Sequence, residues 1–306
     1  MSRLRVAVLT LLAMLAFAGN SLLCRLALKH TAIDPASFTA IRIASGAMVL
    51  WLIVRVRDGR AKPLGSWPSA LALFVYAAAF SFAYVGLTAA TGALLLFGAV
   101  QATMIGHGLW RGERLRRSQK AGLVLALGGL VGLLMPGLSA PPLRGASLML
   151  AAGAAWGVYS LRGKGTGDPL RATAGNFLRA AVFAAVLSAS MLTRVSLDDA
   201  GVGYAVASGA LASGIGYAIW YSALPGLKVT SAATVQLSVP VIAAAGGVAW
   251  LGEPLTVRLL LAAAAVLAGI ALVIVQRQRV LWGARRERPA QARNDQNASQ
   301  SPRRLL

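Results

Sequence analysis

The sequence predicts an all-α polytopic membrane protein whose ten transmembrane helices form two inverted repeats of five helices. Of its 306 residues, 57% are hydrophobic and 13% are charged, an apolar share well above that of ordinary soluble domains. Long apolar runs recur from one end to the other, so a soluble core with a single membrane anchor is excluded. The second half of the chain also repeats motifs of the first half.

Ten apolar runs are long enough to cross a bilayer as helices. A helix needs about 20 residues to cross the hydrocarbon, and about 17 suffice at little tilt. Helices satisfy every backbone hydrogen bond within the segment, which lipid requires. The runs at 120–136 and 145–161 are at the lower limit of length. The predicted spans are residues 6–27, 36–54, 69–88, 92–110, 120–136, 145–161, 172–192, 202–223, 231–250 and 258–276.

The basic residues predict the orientation. With a cytoplasmic N-terminus, 23 of the 30 lysines and arginines lie in cytoplasmic segments and four lie outside. This bias predicts that both termini are cytoplasmic. The net charge of +21 does not indicate nucleic acid as a partner, because the basic residues are spread between the spans. The single cysteine, Cys24, excludes a disulfide framework and a multi-cysteine metal site.

The two ends of the chain have features of their own. Arg3 and Arg5, followed by an apolar run and Ala-Phe-Ala at 16–18, resemble a cleavable signal peptide. Cleavage would leave nine crossings and spoil the repeat, so we expect the first helix to be retained. Residues 277–306 are polar and rich in arginine, which predicts a disordered basic cytoplasmic tail.

An internal repeat is visible in the arginines of the spans. Arg25 aligns with Arg162, and Arg42 aligns with Arg179, at a constant offset of 137 residues. Further along, the offset becomes 140, where GLTAATGA at 86–93 aligns with GLKVTSAA. A loop three residues longer accounts for the change.

The repeat predicts two halves, 6–136 and 145–276. Each half has five helices, an odd number, so the second half enters the membrane from the opposite side. Inverted repeats can exchange conformations and open a central site first to one side and then to the other. A purely structural membrane protein has no evident need of this symmetry, which therefore favours transport.

The paired motifs resemble those of the drug/metabolite transporter superfamily, EamA type. Each half has an arginine early in its second helix, Arg42 in AIRIASGA and Arg179 in FLRAAVFA. Each half also closes its fourth helix on a Gly-Glu pair, with Glu113 in RGERL and Glu253 in LGEPL. The sequence departs from the family pattern at one position. The family often has a proline in the fourth helix of each repeat, but here only the second half has it, as Pro240.

The resemblance implies a secondary transporter, usually an exporter of amino acids, other metabolites or toxic compounds. We therefore expect an exporter of amino acids or related small metabolites that works by alternating access in the bacterial inner membrane. A multidrug or organic cation efflux protein is the alternative. The expected partners are a small-molecule substrate and the lipid bilayer, with no cofactor and no metal, in a monomer or homodimer.

Proteins of other classes fit the sequence less well. No nucleotide-binding pattern G-x-x-x-x-G-K-[ST] is present, so ATP-driven transport would need another chain. An intramembrane enzyme would need a clustered nucleophile and base or a set of metal ligands, which two histidines and one cysteine do not supply. A sensor or scaffold leaves the inverted repeat unexplained.

Arg42 is a charge about seven residues into its span, or roughly 10 Å deep at 1.5 Å per residue. A charge at the bilayer centre costs about 2.5–3.5 kcal/mol on insertion scales, so it should face the interior and have a partner. One hypothesis is that Arg42 holds the carboxylate of a substrate. The other is a structural or gating role through helix-end carbonyls. Both hypotheses apply equally to Arg179.

Three further ionisable residues are candidates for coupling or for structure. Glu113 and Glu253 follow the fourth helices of the two halves, and a buried carboxylate at either position is a candidate carrier of a coupling proton. We expect structural roles instead, with Glu253 at a turn and Arg258 available to pair with it. His107 could shuttle protons near neutral pH, but an interfacial role is the simpler expectation.

The remaining candidates are polar and aromatic residues within spans, which suit a cavity near the midplane for an amphipathic metabolite. Some of them are expected instead to form an interfacial belt or to pack helices. They are Asn20, Tyr84, Gln101, Trp156, Tyr159, Asn176, Tyr217, Trp220, Tyr221 and Gln236.

Overall fold

A computed structural model describes most of the chain, and within the described ranges every regular element is a helix. The predicted tail at 277–306 lies outside these ranges, and the side chains of 229, 230 and 233 are not included. The described residues are 2–59, 64–112, 114–115, 117–137, 140–163, 167–227 and 229–274.

The helices follow the predicted spans closely in order and position. The first seven are α1 (Arg3–His30), α2 (Pro35–Asp58), α3 (Trp67–Tyr84), α4 (Ala89–Trp110), α5 (Arg117–Leu134), α6 (Leu143–Arg162) and α7 (Pro169–Ser190). They are followed by α8 (Asp199–Ala207), α9 (Gly216–Ala223), α10 (Val229–Val235), α11 (Ser238–Leu251) and α12 (Val257–Ile274).

Among the described residues, seven segments are long and apolar enough to cross a membrane, by length and composition. The shorter α11 is apolar as well. The predicted spans at 120–136 and 145–161 correspond to α5 and α6, which are not among the seven. The seven are α1, α2, α3, α4, α7, the continuous segment Asp199–Gly226, and α12.

Most helices begin at a polar residue that caps free backbone amides. Asp34 accepts hydrogen bonds from the amides of Ala36 and Ser37 at the start of α2. Ser66, Thr88 and Asp168 cap α3, α4 and α7 in the same way. Proline in the first turn of α2, α3 and α7 adds a fixed φ where no donor is needed.

The segment Asp199–Gly226, which we call the eighth span, has a π-helical middle that the sequence did not predict. Its eight residues Ser208–Ile215 join α8 to α9. The span continues through a short 3₁₀ turn at Leu224–Gly226. π-helical turns inside helices occur frequently at functional sites, and this one packs against α1 and α2.

The ninth predicted span, 231–250, is wrong as a single helix. It is broken between α10 and α11 at Gln236 and Leu237. Pro240 has no amide hydrogen and cannot donate to the carbonyl of Gln236, which accepts from the amide of Val239 at 3.1 Å instead. In the first half, Val100 occupies the aligned position and α4 is continuous.

The helices of the first half pack extensively against those of the second half. α2 lies against α7, and α4 lies against α11. α3 and α4 pack on α6, while the eighth span and α11 pack on α1. At the periphery α5 and α12 approach closely, because a Cβ on Gly122 would lie 2.6 Å from the carbonyl oxygen of Gly269. Small residues permit this distance between membrane helices.

The outward surfaces of the bundle are strongly apolar. Leu11, Trp51, Val124, Val186 and Leu261 each expose about half of their surface or more. A soluble monomer rarely exposes so much contiguous apolar surface, whereas the hydrocarbon of a bilayer suits it. The outer faces therefore agree with a membrane-embedded bundle.

Candidate functional site

Arg42 lies inside the bundle, only 3% exposed, among aromatic rings. Its guanidinium carbon is 5.2 Å from the centroid of the Tyr76 ring and 4.8 Å from that of Phe80, within the range of cation–π attraction. Nη2 donates a hydrogen bond to the Tyr76 hydroxyl at 2.9 Å. Nη1 is buried without a partner, and no carboxylate among the described residues is within ion-pairing distance.

A chain of hydrogen bonds holds Tyr76 in place beside Arg42. Asn20 Nδ2 donates to the Tyr76 hydroxyl at 3.3 Å. The hydroxyl of Ser208, the first residue of the π-helical segment, donates to Asn20 Oδ1 at 2.7 Å. Asn20 and Ser208 are both buried. Side chains from α1, α2, α3 and the eighth span therefore converge on one point.

Aromatic side chains form one connected group around this point, which we call the aromatic cluster. Trp156 is at its centre, with ring centroids 4.7 Å from Tyr76, 5.3 Å from Tyr159 and 5.6 Å from Tyr217. The cluster contains Phe17, Tyr76, Phe80, Trp156, Tyr159, Phe177, Tyr217 and Tyr221.

A second set of polar groups lies on the α7 side of the cluster. The Tyr159 hydroxyl donates to Thr173 at 3.3 Å, and Asn176 Nδ2 donates to Tyr159 at 3.4 Å. The hydroxyls of Thr173 and Tyr221 are 3.0 Å apart. Asn176 Oδ1 accepts from the amide of Ser66, which joins this set to the start of α3. These polar groups therefore have hydrogen-bond partners within the protein.

Arg179 is placed differently from Arg42, its counterpart in the sequence repeat. Its Nη1 donates to the carbonyls of Leu64 and Gly175 at 3.1 and 2.9 Å. This arginine therefore fastens the segment before α3 to α7. The two arginines are not equivalent in this structure, and the geometry of Arg179 agrees with the structural hypothesis.

Glu253 is part of a buried network at the end of the bundle where α1 ends and α4 begins. Arg25 Nε donates to its Oε1 at 2.8 Å, and the amide of Ala89 donates to its Oε2 at 2.7 Å. Arg25 Nη1 also donates to the carbonyls of Tyr84 and Val85. We call these five residues the Arg25–Glu253 clasp.

The clasp corrects the expected partner of Glu253. Arg258 does not pair with it but donates to the carbonyls of Met135 and Pro136. The side chains of Arg25 and Glu253 are only 10% and 4% exposed. The clasp ties α1, α4 and the α11–α12 connection together, so Glu253 has a structural geometry as expected, through another arginine.

Other predicted residues lie at the edges of the cluster or away from it. The fully buried Tyr84 packs on Phe80 and belongs to the clasp. Trp220 contacts Phe17 from the far side, between α1 and α11. Gln101 lines a small cavity between α4, α5 and α12, away from Arg42.

Three candidates are set apart from this centre. Gln236 lies in the break between α10 and α11. His107 lies near the end of α4, with its ring 6.0 Å from that of Trp110. Glu113 lies outside the described residues.

Sequence reasoning missed Tyr76, Phe80 and Ser208 as parts of the site. A signal for the first two was present, because Tyr76, Phe80 and Tyr84 are spaced four residues apart and share one face of α3. Ser208 had no comparable signal. It reaches Asn20 from the π-helical segment, which the sequence did not indicate.

The arrangement is a cationic group buried among aromatic rings, and its Nη1 has no hydrogen-bond partner. Such a site attracts an anion and is unfavourable for a cation, because opposite charges attract strongly where water is excluded. An arginine also matches a carboxylate in shape, through parallel N–H donors. The rings offer apolar surface for the rest of a small molecule.

Comparison with known proteins identifies the family and the fold. The sequence profile of the EamA-like transporter family matches residues 4–135 and 143–275. One solved crystal structure has the same fold, with a TM-score of 0.62 over 90% of this chain and 99% of that chain, at 21% sequence identity.

Several relatives are similar in sequence. Uncharacterized protein PA1977 of Pseudomonas aeruginosa is 61% identical over 274 residues, which cover 89% of this chain and 96% of that protein. An uncharacterized transporter of Archaeoglobus fulgidus is 29% identical over 247 residues, which cover 76% of this chain and 84% of that protein. The threonine/homoserine exporter RhtA of Salmonella typhimurium is 36% identical over 154 residues, about half of each chain. The predicted resemblance is confirmed: the chain is a multi-pass membrane protein that belongs to the EamA-like transporter family.

Proposed function

We propose that this protein is a secondary transporter that exports amino acids or related small metabolites by alternating access. The observation that carries the proposal is the buried guanidinium of Arg42, whose Nη1 has no partner and which no described carboxylate neutralises. A substrate carboxylate would supply the missing acceptor and the opposite charge. The aromatic cluster would surround the rest of the substrate.

The relationship to RhtA supports the substrate class. That protein is named a threonine/homoserine exporter, and the similarity extends over about half of each chain. An amino acid carries the carboxylate that Arg42 lacks as a partner. A cationic drug would instead have to bind next to an unpaired arginine, so the cation efflux alternative has no support from this geometry.

Alternating access is supported by the relation between the halves. The family profile matches each half separately, in agreement with two five-helix repeats at 6–136 and 145–276. If the first five spans correspond to the last five, the α3–α6 contact corresponds to the contact of the eighth span with α1, and α4–α6 corresponds to α11–α1. Two halves in inverted orientation would let one bundle of helices take up two related arrangements.

The proposal also includes the orientation of the chain, its membrane and its partners. The excess of arginine and lysine in alternate connections supports cytoplasmic termini, and we place the protein in the bacterial inner membrane. The transporter needs the lipid bilayer and its substrate as partners, and we propose a monomer or a homodimer without a cofactor.

Counterflow in proteoliposomes tests the proposal. Vesicles containing the wild-type protein are loaded with pooled amino and carboxylic acids, and exchange with labelled substrates is measured. We expect exchange of at least one carboxylate substrate. Arg42→Ala should abolish exchange of that substrate, while the protein still inserts and elutes as a single species.

Arg179→Ala is the control, because it removes the sequence counterpart of Arg42 and leaves the cluster intact. We expect this variant to lose stability but to keep its affinity for the substrate. The proposal is wrong if the wild type exchanges no carboxylate substrate from a broad pool. Movement of cationic dyes in the same vesicles would then favour multidrug efflux.

A further inference from the structure

The Tyr76 hydroxyl has one donor to spare. A phenol oxygen has two lone pairs and one proton. Both lone pairs are used, because the oxygen accepts from Arg42 Nη2 at 2.9 Å and from Asn20 Nδ2 at 3.3 Å. Within the described ranges no acceptor receives the hydroxyl proton. Tyr76 therefore presents an O–H group beside Arg42.

The unused donor of Arg42 belongs to the same hydrogen-bonded pair. Nη1 and Nη2 are bonded to the same carbon, and Nη2 already contacts Tyr76. The buried Nη1 has no partner. Two unsatisfied donors thus lie next to each other in a buried place, where leaving such groups unpaired is costly. A planar group with two acceptor oxygens fits this pair.

The hydrogen bonds of the neighbouring residues leave the Tyr76 proton available. Asn20 Oδ1 faces Ser208, which donates to it at 2.7 Å, and Asn20 Nδ2 faces the Tyr76 hydroxyl at 3.3 Å. With both lone pairs occupied, the phenol cannot act as an acceptor for a ligand. Asn20 and Ser208 thus make Tyr76 a donor only, which favours an anion over a neutral donor group.

We propose that Tyr76 and Arg42 form a two-point site for the substrate carboxylate. The Tyr76 hydroxyl donates to one carboxylate oxygen and Arg42 Nη1 donates to the other, while Asn20 and Ser208 are positioning residues. This inference rests on the proposed function and adds a second ligand to it. It also defines the class of ligand as a carboxylate and not its neutral amide, which has one acceptor oxygen instead of two.

The test compares Tyr76→Phe with Tyr204→Phe in counterflow, with the substrate found for the wild type. Both variants lose one tyrosine hydroxyl, but Tyr204 lies in α8, outside the aromatic cluster. We expect KM for the acid to rise about tenfold to hundredfold in Tyr76→Phe, at an unchanged saturating rate. Tyr204→Phe should stay within about threefold of the wild type.

A second readout separates a ligand from a structural residue. The carboxamide of the same substrate is added as a competitor. If Tyr76 contacts the carboxylate, Tyr76→Phe weakens binding of the acid much more than binding of the amide. A general loosening of the site would weaken both equally, and that result would overturn the two-point site.

The outcomes also separate this inference from the proposed function. If Arg42→Ala loses the acid and Tyr76→Phe keeps the wild-type KM, the two-point site is wrong and the transport proposal stands. If the wild type itself exchanges no carboxylate substrate, both are wrong. Ser208→Ala should raise KM for the acid by a smaller factor than Tyr76→Phe, because it loosens the positioning of Asn20 only.

Discussion

Replacing Glu253 with alanine is expected to lower the free energy of unfolding by about 3–5 kcal/mol, the usual cost of removing one partner of a buried ion pair. The substitution leaves the guanidinium of Arg25 without its carboxylate in a site where that side chain is 10% exposed. It also removes the acceptor of the Ala89 amide in the first turn of α4. Thermal unfolding in detergent, followed by intrinsic fluorescence, measures the loss.

A paired substitution is the control for this prediction. Arg25→Met combined with Glu253→Met removes both charges, and apolar replacement of a whole buried pair is often neutral or stabilising. We therefore expect the double variant to recover most of the stability that Glu253→Ala loses. If the double variant is as unstable as Glu253→Ala, the uncompensated charge of Arg25 is not the cause.

Chemical labelling of Cys24 measures the loss of the Arg25–Glu253 clasp at the end of α1. This residue is the single cysteine of the chain, is 0% exposed and precedes Arg25 directly. We expect a water-soluble maleimide to modify Cys24 slowly in the wild type and at least tenfold faster in Glu253→Ala, because loss of the clasp frees the end of α1. An unchanged rate would mean that the clasp does not hold this end closed.

The second large effect is expected at Gly209, in the π-helical segment beside Arg42. A Cβ there would be closer than 3.0 Å to Ser45 Oγ and to the backbone carbonyl of Arg42. Because one neighbour is backbone, Gly209→Ala must displace α2 or the π-helical segment. Overpacking costs about 1–3 kcal/mol and occasionally more, and the displacement should also break the Ser208–Asn20 hydrogen bond and abolish transport.

Gly203→Ala is the matched control for Gly209→Ala. Gly203 lies in the same span, within α8, and a Cβ there meets nothing within 4 Å. Since alanine is favoured over glycine in a helix by roughly 0.5–1 kcal/mol, this variant should be at least as stable as the wild type and fully active. Equal behaviour of the two variants would show that the close approach at Gly209 does not matter.

The helices could be predicted from the sequence because their signals are local. The length of the apolar runs identified the spans, apart from the break in the ninth. Caps such as Asp34, Ser66 and Asp168 mark helix starts within a few residues. The predicted third span continued to residue 88, but α3 ends at Tyr84 because Thr88 caps α4.

The deviations from regular helix depend on tertiary contacts or on single atoms. The helix breaks at Gln236 because Pro240, about one turn later, has no amide hydrogen to donate. Hydrophobicity alone does not indicate the position of this break. Six of the eight residues of the π-helical segment are small, and the segment fits against α2 where Gly46 meets Gly209. Nothing in its own sequence distinguishes it from an ordinary apolar helix.

The site was predicted in part, since depth in a span identifies a buried charge but not its neighbours. Arg42 is buried as expected, and Trp156, Tyr159, Tyr217 and Tyr221 contact one another in the aromatic cluster, which reaches Arg42 through Tyr76. The repeat suggested that Arg179 would behave alike, yet its neighbours are backbone carbonyls. Which partner each arginine meets is set by packing between helices distant in sequence.

The most direct test of the central claim is a cycle that removes the carboxylate from the ligand and the guanidinium from the protein. Competition constants are measured in counterflow for a transported acid and its carboxamide, in the wild type and in Arg42→Ala. If Arg42 binds the carboxylate, the amide should bind at least about tenfold more weakly than the acid in the wild type, and the difference should vanish in Arg42→Ala. If the acid and the amide compete equally well in the wild type, or if Arg42→Ala still distinguishes them as strongly, Arg42 does not bind the substrate carboxylate.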